Sequence, residues 1–421
     1  MITNDVFKNI LGIKENFEMP EKLMKVLIEP EQREGLITTL MEHVEDMETD
    51  FLNEIFQNEH GDRDSLKQDF TPDCLCELVA NISGPKKTCA DICSGSGSLT
   101  IKKWAHNKNT YFYCEEVSSR TIPILLLNLC IRNISGKVIH GNSISMEVNA
   151  IYRLDSGIKY SDISCEIPIS STEQFDTVIM NPPYSLKFDN IDIYKNDWRF
   201  KGFGIPPKKA MDYAFLLHGL SKLKDDGELF AIVPHGVLFR GGKEEEIRKN
   251  LIRENLIHAV IGLPDKLFLH TSIPVCIIVL KRNRKEKKIL FIDASNEFEK
   301  CGKQNKLRKS DIDKISYTFR NYIDIDKYSH VARAREIEEN QYNLNIPRYV
   351  DNFEPEPVPD IIETLNNIRS IEDEIKKCEN DILEMMKELC GTTCEKDEEI
   401  KRATNIFEEN IKSKYQKKGG A

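Results

Sequence analysis

Residues 87–99, KTCADICSGSGSL, decide the fold. The first six read as a short strand ending near Asp91, and Gly95-Ser96-Gly97 turns the chain into a helical stretch. Glycines at such a turn let backbone approach a ligand closely, and a helix start offers free N–H groups. No Lys follows the glycines, so the GxxxxGK[ST] phosphate loop is absent and phosphate hydrolysis loses most of its support. By itself the turn reads as an ordinary tight βα connection.

Working outward, further strands are expected at TYFYCEEV (110–117), GKVIHGN (136–142), FDTVIMNPP (175–183), ELFAIVP (228–234), IHAVIGLP (257–264), VCIIVLK (275–281) and ILFIDAS (289–295). Helical patterns such as SRTIPILLLNLCIRN (119–133) and KAMDYAFLLHGLSKL (209–223) separate them. The alternation predicts an α/β fold with a doubly wound, mostly parallel sheet. The link LFLHTSIP (267–274) is too short for a crossover helix, so the two strands it joins are expected to run antiparallel. Residues 1–66 read as a small N-terminal helical region packed on the sheet domain (67–350), with Leu36, Leu40, Val44, Met47, Phe51 and Ile55 forming one helical stripe. After the acidic, Pro-rich hinge FEPEPVPD (353–360), the last part (351–421) holds a long helix. Its apolar residues at 361, 365, 368, 371, 375, 378, 382, 385 and 389 have near-heptad spacing. Such a helix needs something to pack against. The tail beyond Gly391 is charged, and KKGGA at its end reads as disordered.

Composition narrows the classes. Of 421 residues, 40% are hydrophobic and 30% charged, as in a folded soluble protein. No apolar run reaches the roughly 18 residues of a membrane helix, and the first residues lack a signal-peptide layout. A cytoplasmic location with no membrane partner is the expectation. The twelve cysteines lack a zinc layout and read as buried small hydrophobes. With 59 Lys+Arg against 69 Asp+Glu, the net charge of −10 advertises no basic face. Any grip on nucleic acid is therefore local or supplied by a partner.

Two further signals carry chemistry. Glu115-Glu116 ends the second strand about twenty residues after Gly97, where an acidic side chain accepts hydrogen bonds from ribose hydroxyls. Asn181-Pro182-Pro183-Tyr184 follows an apolar strand, and the two prolines make its backbone rigid. That rigidity sets an amide oxygen and a backbone carbonyl side by side, two acceptors suited to an exocyclic amine. The tyrosine offers a face on which a planar base stacks. His218 and His235 read as structural. The basic runs RNRKEKK (282–288) and KQNKLRK (303–309) are either DNA-phosphate contacts or solvated loops.

Together Gly95-Ser96-Gly97, Glu116 and Asn181–Tyr184 resemble the amino-methylating, S-adenosylmethionine-dependent methyltransferases. More narrowly, residues 68–390 resemble the modification subunit of a type I restriction–modification system. The supporting segments are QDFTPDCLCELV (68–79), PPKKAMDYAFLLHGL (206–220), VPHGVLFRGGKEEEIRKNLI (233–252), AVIGLPDKLF (259–268), KILFIDAS (288–295) and YNLNIPRYVD (342–351). The resemblance implies a seven-stranded-type methyltransferase sheet with one antiparallel strand, and methylation of the N6 amine of an adenine flipped out of DNA. S-adenosylmethionine is the implied cofactor, and no metal is. Gln68, Phe70, Thr71 and Pro72 would close over its methionine part, with Gly95, Ser96, Gly97 and Ser98 beneath. Asp91 would meet its amino group and Glu116 its ribose. Asn142 stands where the family usually has Asp beside the adenine amino group. Asn181 and the Pro182 carbonyl would hold the target amine, with Pro183 stiffening the loop and Tyr184 stacking on the base. The implied partners are double-stranded DNA, a DNA specificity subunit docked on the C-terminal helix, a second copy of the chain and a restriction subunit. No long segment after the sheet suggests a target-recognition domain, so sequence reading is expected from the separate subunit. Protein-glutamine N5 methylation and a catalytically silent scaffold are the alternatives.

Overall fold

The computed structural model describes residues 3–53, 70–167, 173–187, 194–269, 271–352 and 360–416. It divides into two compact units, Met1–Asn352 and Phe353–Ala421. The first contains α1 (Asn4–Leu11), α2 (Met19–Ile28), α3 (Pro30–Met41), α4 (Asp73–Ser83), β1 (Thr88–Ile92), α5 (Ser98–His106), β2 (Tyr111–Glu116), α6 (Ile122–Ile131) and β3 (Gly136–Asn142). Next come β4 (Glu147–Ser156), β5 (Ser161–Glu166), β6 (Phe175–Met180), α7 (Asp212–Ser221), β7 (Leu223–Pro234), α8 (Gly236–Phe239), α9 (Lys243–Arg253), β8 (Ile257–Gly262) and β9 (Val275–Lys281). It ends with β10 (Lys288–Asp293), β11 (Glu299–Cys301), β12 (Gln304–Lys306), α10 (Lys309–Asn321), β13 (Ser329–Arg333) and α11 (Ala334–Glu339).

Eleven strands form one sheet in the order β13-β10-β8-β9-β7-β6-β1-β2-β3-β4-β5. The expected reversal of β9 is present: it runs antiparallel to both β7 and β8. β4 and β13 are reversed as well, and both were missed in the sequence. β4 and β5 make an edge hairpin whose polar outer face weakens the alternation that marks a strand. Side chains alternate across the sheet. Cys89, Phe112, Cys114 and Ile179 join a core with α4, α6, α10 and the N-terminal helices. Ala90, Tyr113, Val178 and Met180 join another with α7 and α9. Helices thus cover both faces, the doubly wound arrangement.

The stripe expected to run as one helix from Leu36 does not. α3 ends at Met41, and residues 42–52 form turns and bends. Two local bonds compete with the helix: Asp46 accepts from the Glu48 N–H at 2.7 Å, and Asp50 from the Leu52 N–H at 3.2 Å. Arg132, from the end of α6, takes the carbonyls of Met47 (2.7 Å) and Thr49 (2.6 Å), which a helix would have used internally. Val44, Met47 and Phe51 still pack on the core, while Ile55 lies outside the described residues. The cysteine expectation also divides. Cys74, Cys76, Cys89, Cys114, Cys130 and Cys276 are buried in sheet and helix interiors, and Cys93 is half-buried. Cys165, Cys301, Cys378, Cys390 and Cys394 are exposed, because edge strand, hairpin and second unit present faces to solvent.

The second unit holds α12 (Ile361–Glu388) and α13 (Cys394–Gln416), so the charged tail is largely a second helix. Asp360 caps α12 by accepting from the N–H groups of Ile362 and Glu363. α13 folds back on the distal half of α12, where Tyr415 donates to Glu379 at 2.7 Å and Leu383 is buried. Ile361, Leu365, Ile368, Ile371 and Ile375, on the proximal half, stay exposed. No helix among the described residues is long and apolar enough to cross a membrane.

Candidate active site

Sheet order creates the site. β1 pairs in parallel with β2 on one side and with β6 on the other, Ile92 lying opposite Met180. The chain winds outward from β1 in one direction through β2 and β3, then in the other through β6 and β7. At such a switch point the loops leaving the strand ends part, and a crevice opens between them. Here the two loops are the glycine turn after β1 and Asn181–Tyr184 after β6.

On the β1 side, Gly95 and Gly97 have φ of +56° and +92°, a region that side chains strain to enter. A Cβ on Gly97 would also come within 2.8 Å of Leu125, so the turn stays tight against α6. Strand parity separates the two glutamates. Glu116 shares its face with the turn: one carboxylate oxygen accepts from the Gly95 N–H at 2.9 Å, the other from the Ser118 N–H at 2.7 Å. Burial raises the Glu116 pKa, and these backbone donors oppose the rise. Glu115 points through the other face to His218 (2.8 Å) and Lys222 (3.6 Å). Burial would raise its pKa, but those partners outweigh it and hold the carboxyl well below the usual range. His218 also meets Arg199 at 2.8 Å, a structural role; His235 sits 3.0 Å from the Val275 carbonyl.

Asp91 is completely buried. One oxygen accepts from the Thr100 hydroxyl at 2.6 Å; the other has no hydrogen-bond partner among the described residues. Desolvation pushes its pKa up to about 7 despite the Thr100 bonds, with the Glu116 charge adding to the rise. A buried orphan carboxylate oxygen fits a cationic ligand group. Phe70 closes the crevice from above: a Cβ on Gly95 would lie 3.5 Å from its ring. Its neighbour Thr71 accepts from the Asn181 amide at 2.9 Å, so one short segment touches both loops. Pro72 caps the start of α4, and Gln68 lies outside the described residues.

On the β6 side, the Tyr184 hydroxyl donates to the Asn181 amide oxygen at 2.7 Å, and Phe268 meets the Tyr184 ring edge-on at 5.9 Å. The next residue, Ser185, is left-handed (φ +50°). Its N–H donates to Asp212 at 3.0 Å, and Arg240 bridges both, donating to Asp212 at 3.0 Å and to the Ser185 hydroxyl at 3.1 Å. Asp212 is fully buried, so the turn after Tyr184 rests on a fixed charged bracket.

The family model for N-6 DNA methylases matches residues 50–357. The chain belongs to the N-6 DNA methylase family. A type I restriction enzyme methylase subunit of Mycoplasma pneumoniae is 32% identical over 333 residues, 76% of this chain and 60% of that one. Another, from Methanocaldococcus jannaschii, is 30% identical over 76% of this chain and 55% of its own length. The chain therefore spans somewhat over half the length of these curated relatives. The crystal structure of a type I restriction-modification methyltransferase subunit from Streptococcus thermophilus superposes with a TM-score of 0.65 at 32% identity, covering 83% of this chain and 76% of that one.

In this N-6 DNA methylase, contacts within the protein engage several of the expected site residues. The hydroxyls of Ser96 and Ser98 turn to Asp50, at 2.5 and 2.8 Å. Asp50 also accepts from Asn128 at 3.0 Å, tying residues 46–53 to the glycine turn. The Asn142 amide oxygen is engaged by the N–H groups of Ile144 and Ser145, at 2.9 and 3.1 Å, and Asn142 lines a cavity with Glu115 and Lys222. Asp50, Asp212, Arg240 and Phe268 escaped notice. Each acts through a partner distant in sequence, although three of them lie inside segments quoted for the family resemblance.

Proposed function

We propose that this chain transfers a methyl group from S-adenosylmethionine to the N6 amine of adenine in DNA, as the modification subunit of a type I restriction–modification complex. One observation carries the reading: Phe70-Thr71 joins the glycine turn that follows β1 and its buried Asp91 to the rigid Asn-Pro-Pro-Tyr loop that follows β6. Asp91 would hold the cofactor's ammonium, Glu116 its ribose, and the turn's backbone its methionine part. The bound cofactor supplies an electrophilic methyl group on a sulfonium. The chain then needs to position the acceptor in line and to stabilise developing charge. The adenine amine is a poor nucleophile because its lone pair is delocalised. Accepting its two N–H bonds at the Asn181 oxygen and the Pro182 carbonyl draws that pair out. The Tyr184 hydroxyl already holds the Asn181 oxygen in orientation, and Phe268 buttresses the ring. A flipped base costs a few kcal/mol to extrude, and stacking on Tyr184 returns about 1–3 kcal/mol.

The net charge of −10 and the uncovered Ile/Leu stripe of α12 favour a specificity subunit as the supplier of DNA reading, docked on that helix. Double-stranded DNA, a second copy and a restriction subunit complete the proposed cytoplasmic assembly. The test is transfer of labelled methyl from S-adenosylmethionine to unmethylated duplex DNA, with and without a co-purified specificity subunit, and with detection of N6-methyladenine. Activity that requires the partner is expected. Cofactor binding with methyl transfer only to protein, or to nothing, sinks the reading.

The Asp212–Arg240 bracket gives a second expectation. Arg240→Ala should lower kcat about tenfold to a hundredfold by loosening the loop, while cofactor affinity stays within about twofold. Arg240→Lys should recover part of kcat, since Lys keeps the charge facing Asp212 but lacks the fork that also reaches Ser185. A parallel loss of cofactor binding would show instead that the whole crevice had collapsed.

A further inference from the structure

The two basic runs of the sequence end on opposite edges of the sheet. Residues 282–288 follow β9, whose last residue pairs with Glu228 at the beginning of β7's parallel run with β6. They lie at the edge away from Asn181, and Arg282 and Arg284 are spent on the carbonyls of Leu220 and Ile257. The β11–β12 hairpin follows the end of β10 and so lies at the catalytic edge.

A chain of contacts ties this hairpin to the site. Asn305 donates from its backbone to the Lys266 carbonyl at 2.9 Å, and from its amide to the Asp265 carbonyl and carboxylate, each at 2.9 Å. Gln304 donates to the Leu267 carbonyl at 3.2 Å. The next residue is Phe268, edge-on to Tyr184. On the other side, the Leu307 backbone lies within hydrogen-bond reach of the Cys74 thiol, just past Thr71. Residues 299–309, EKCGKQNKLRK, carry five cations and one acid in a chain whose net charge is −10. Lys300, Lys303 and Lys306 are exposed and in no ion pair among the described residues. The neighbouring acids are largely engaged: Asp311 with Arg308 at 2.9 Å, Glu297 with Lys314 at 2.5 Å, Asp313 near Lys309 at 3.9 Å and Asp265 near Lys266 at 3.9 Å. Glu299 is the exception within the hairpin.

We propose that the β11–β12 hairpin is a DNA-backbone contact beside the base-entry site, with Lys300, Lys303 and Lys306 meeting phosphates that flank the flipped adenine. This rests on the DNA-methyltransferase reading above. Phosphates are the complementary partner because the hairpin presents three exposed lysines to one acid, Glu299, which lies opposite Lys306 across the ladder, and Asn305 fixes the hairpin to the loop that carries Phe268. Positioning contacts of this kind set register and affinity and carry no sequence information.

The test uses the full chain carrying Lys303→Glu with Lys306→Glu. Binding to a fluorescent random-sequence duplex is measured across a salt series, alongside methyl transfer to unmethylated plasmid with the specificity subunit present. The dissociation constant and the KM for DNA should rise tenfold or more, and the slope of log K against log salt should fall by about two. Cofactor affinity and kcat at saturating DNA should hold. The milder Lys303→Gln with Lys306→Gln pair should give a smaller shift of the same sign, and Lys285→Glu with Lys287→Glu, at the far edge, none. An unchanged salt slope and KM in an active enzyme overturns the hairpin proposal alone. So does a loss confined to specificity-subunit capture, which would make the hairpin a protein contact. A wild-type complex that binds cofactor but leaves DNA unmethylated overturns both readings.

Discussion

Asn181→Ala should reduce methyl transfer to DNA by about 10²–10³-fold or more, with S-adenosylmethionine affinity nearly unchanged. The alanine removes the acceptor proposed to draw out the adenine lone pair, and loss of one preorganised polar group at a reacting centre typically has that size. It also releases two contacts: the amide's donation to Thr71 at 2.9 Å and its acceptance from the Tyr184 hydroxyl at 2.7 Å. Each is worth about 0.5–1.5 kcal/mol of stability, which a folded domain of this size tolerates. Single-turnover methyl transfer with cofactor and DNA saturating separates the chemical defect from binding. A variant that retains a tenth of the wild-type rate would remove Asn181 from the catalytic role.

Cofactor affinity should depend on pH through Asp91. With burial pushing its pKa up to about 7, a proton would compete with the ammonium proposed to bind there. Affinity should therefore rise up to about tenfold per pH unit toward pH 7 and level off above it. It should fall again past about pH 8, where an α-amino group loses its own proton. The stability linkage runs the opposite way. A carboxyl whose folded pKa is raised favours folding below its unfolded value of 3.8 and loses that contribution as pH climbs through about 7. An ammonium bound at Asp91 offsets the loss, so the cofactor should raise Tm more at pH 8 than at pH 6. Asp91→Asn keeps the shape and the Thr100 contact but removes the charge. Affinity at pH 7.5 should drop about 10–100-fold, the worth of a charged hydrogen bond, and the dependence below pH 7 should flatten. Calorimetric titration of wild type and variant across this range decides it; an identical pH profile in the variant assigns the titration elsewhere.

The fold and much of the candidate site were legible in the chain because their signals are local. A parallel strand buried on both faces writes itself as a short apolar run, and the glycine turn, Glu116 and Asn181–Tyr184 each lie within a few residues of a strand end. The link 267–274 was readable for the same reason: its length alone forbids a crossover helix. The edge hairpin β4–β5 and the edge strand β13 were not readable, since one polar side blurs the alternation that marks a strand. α3 was misjudged because residues 42–53 keep a helical apolar spacing while Arg132, far along the chain, takes their carbonyls. The sequence by itself determined which residues end the strands and what chemistry they bear. Only the tertiary structure decided which of them face one another. Pairing of β1 with β6 brings Thr71 to Asn181. Strand parity sends Glu116 to the turn and Glu115 through the sheet to His218. Packing diverts Ser96 and Ser98 to Asp50, and sheet direction puts one basic run beside Phe268 and the other at the far edge. Hydrogen bonds and charges between residues distant in sequence leave no periodic trace in the chain, so the sheet that joins them has to be seen before they can be read.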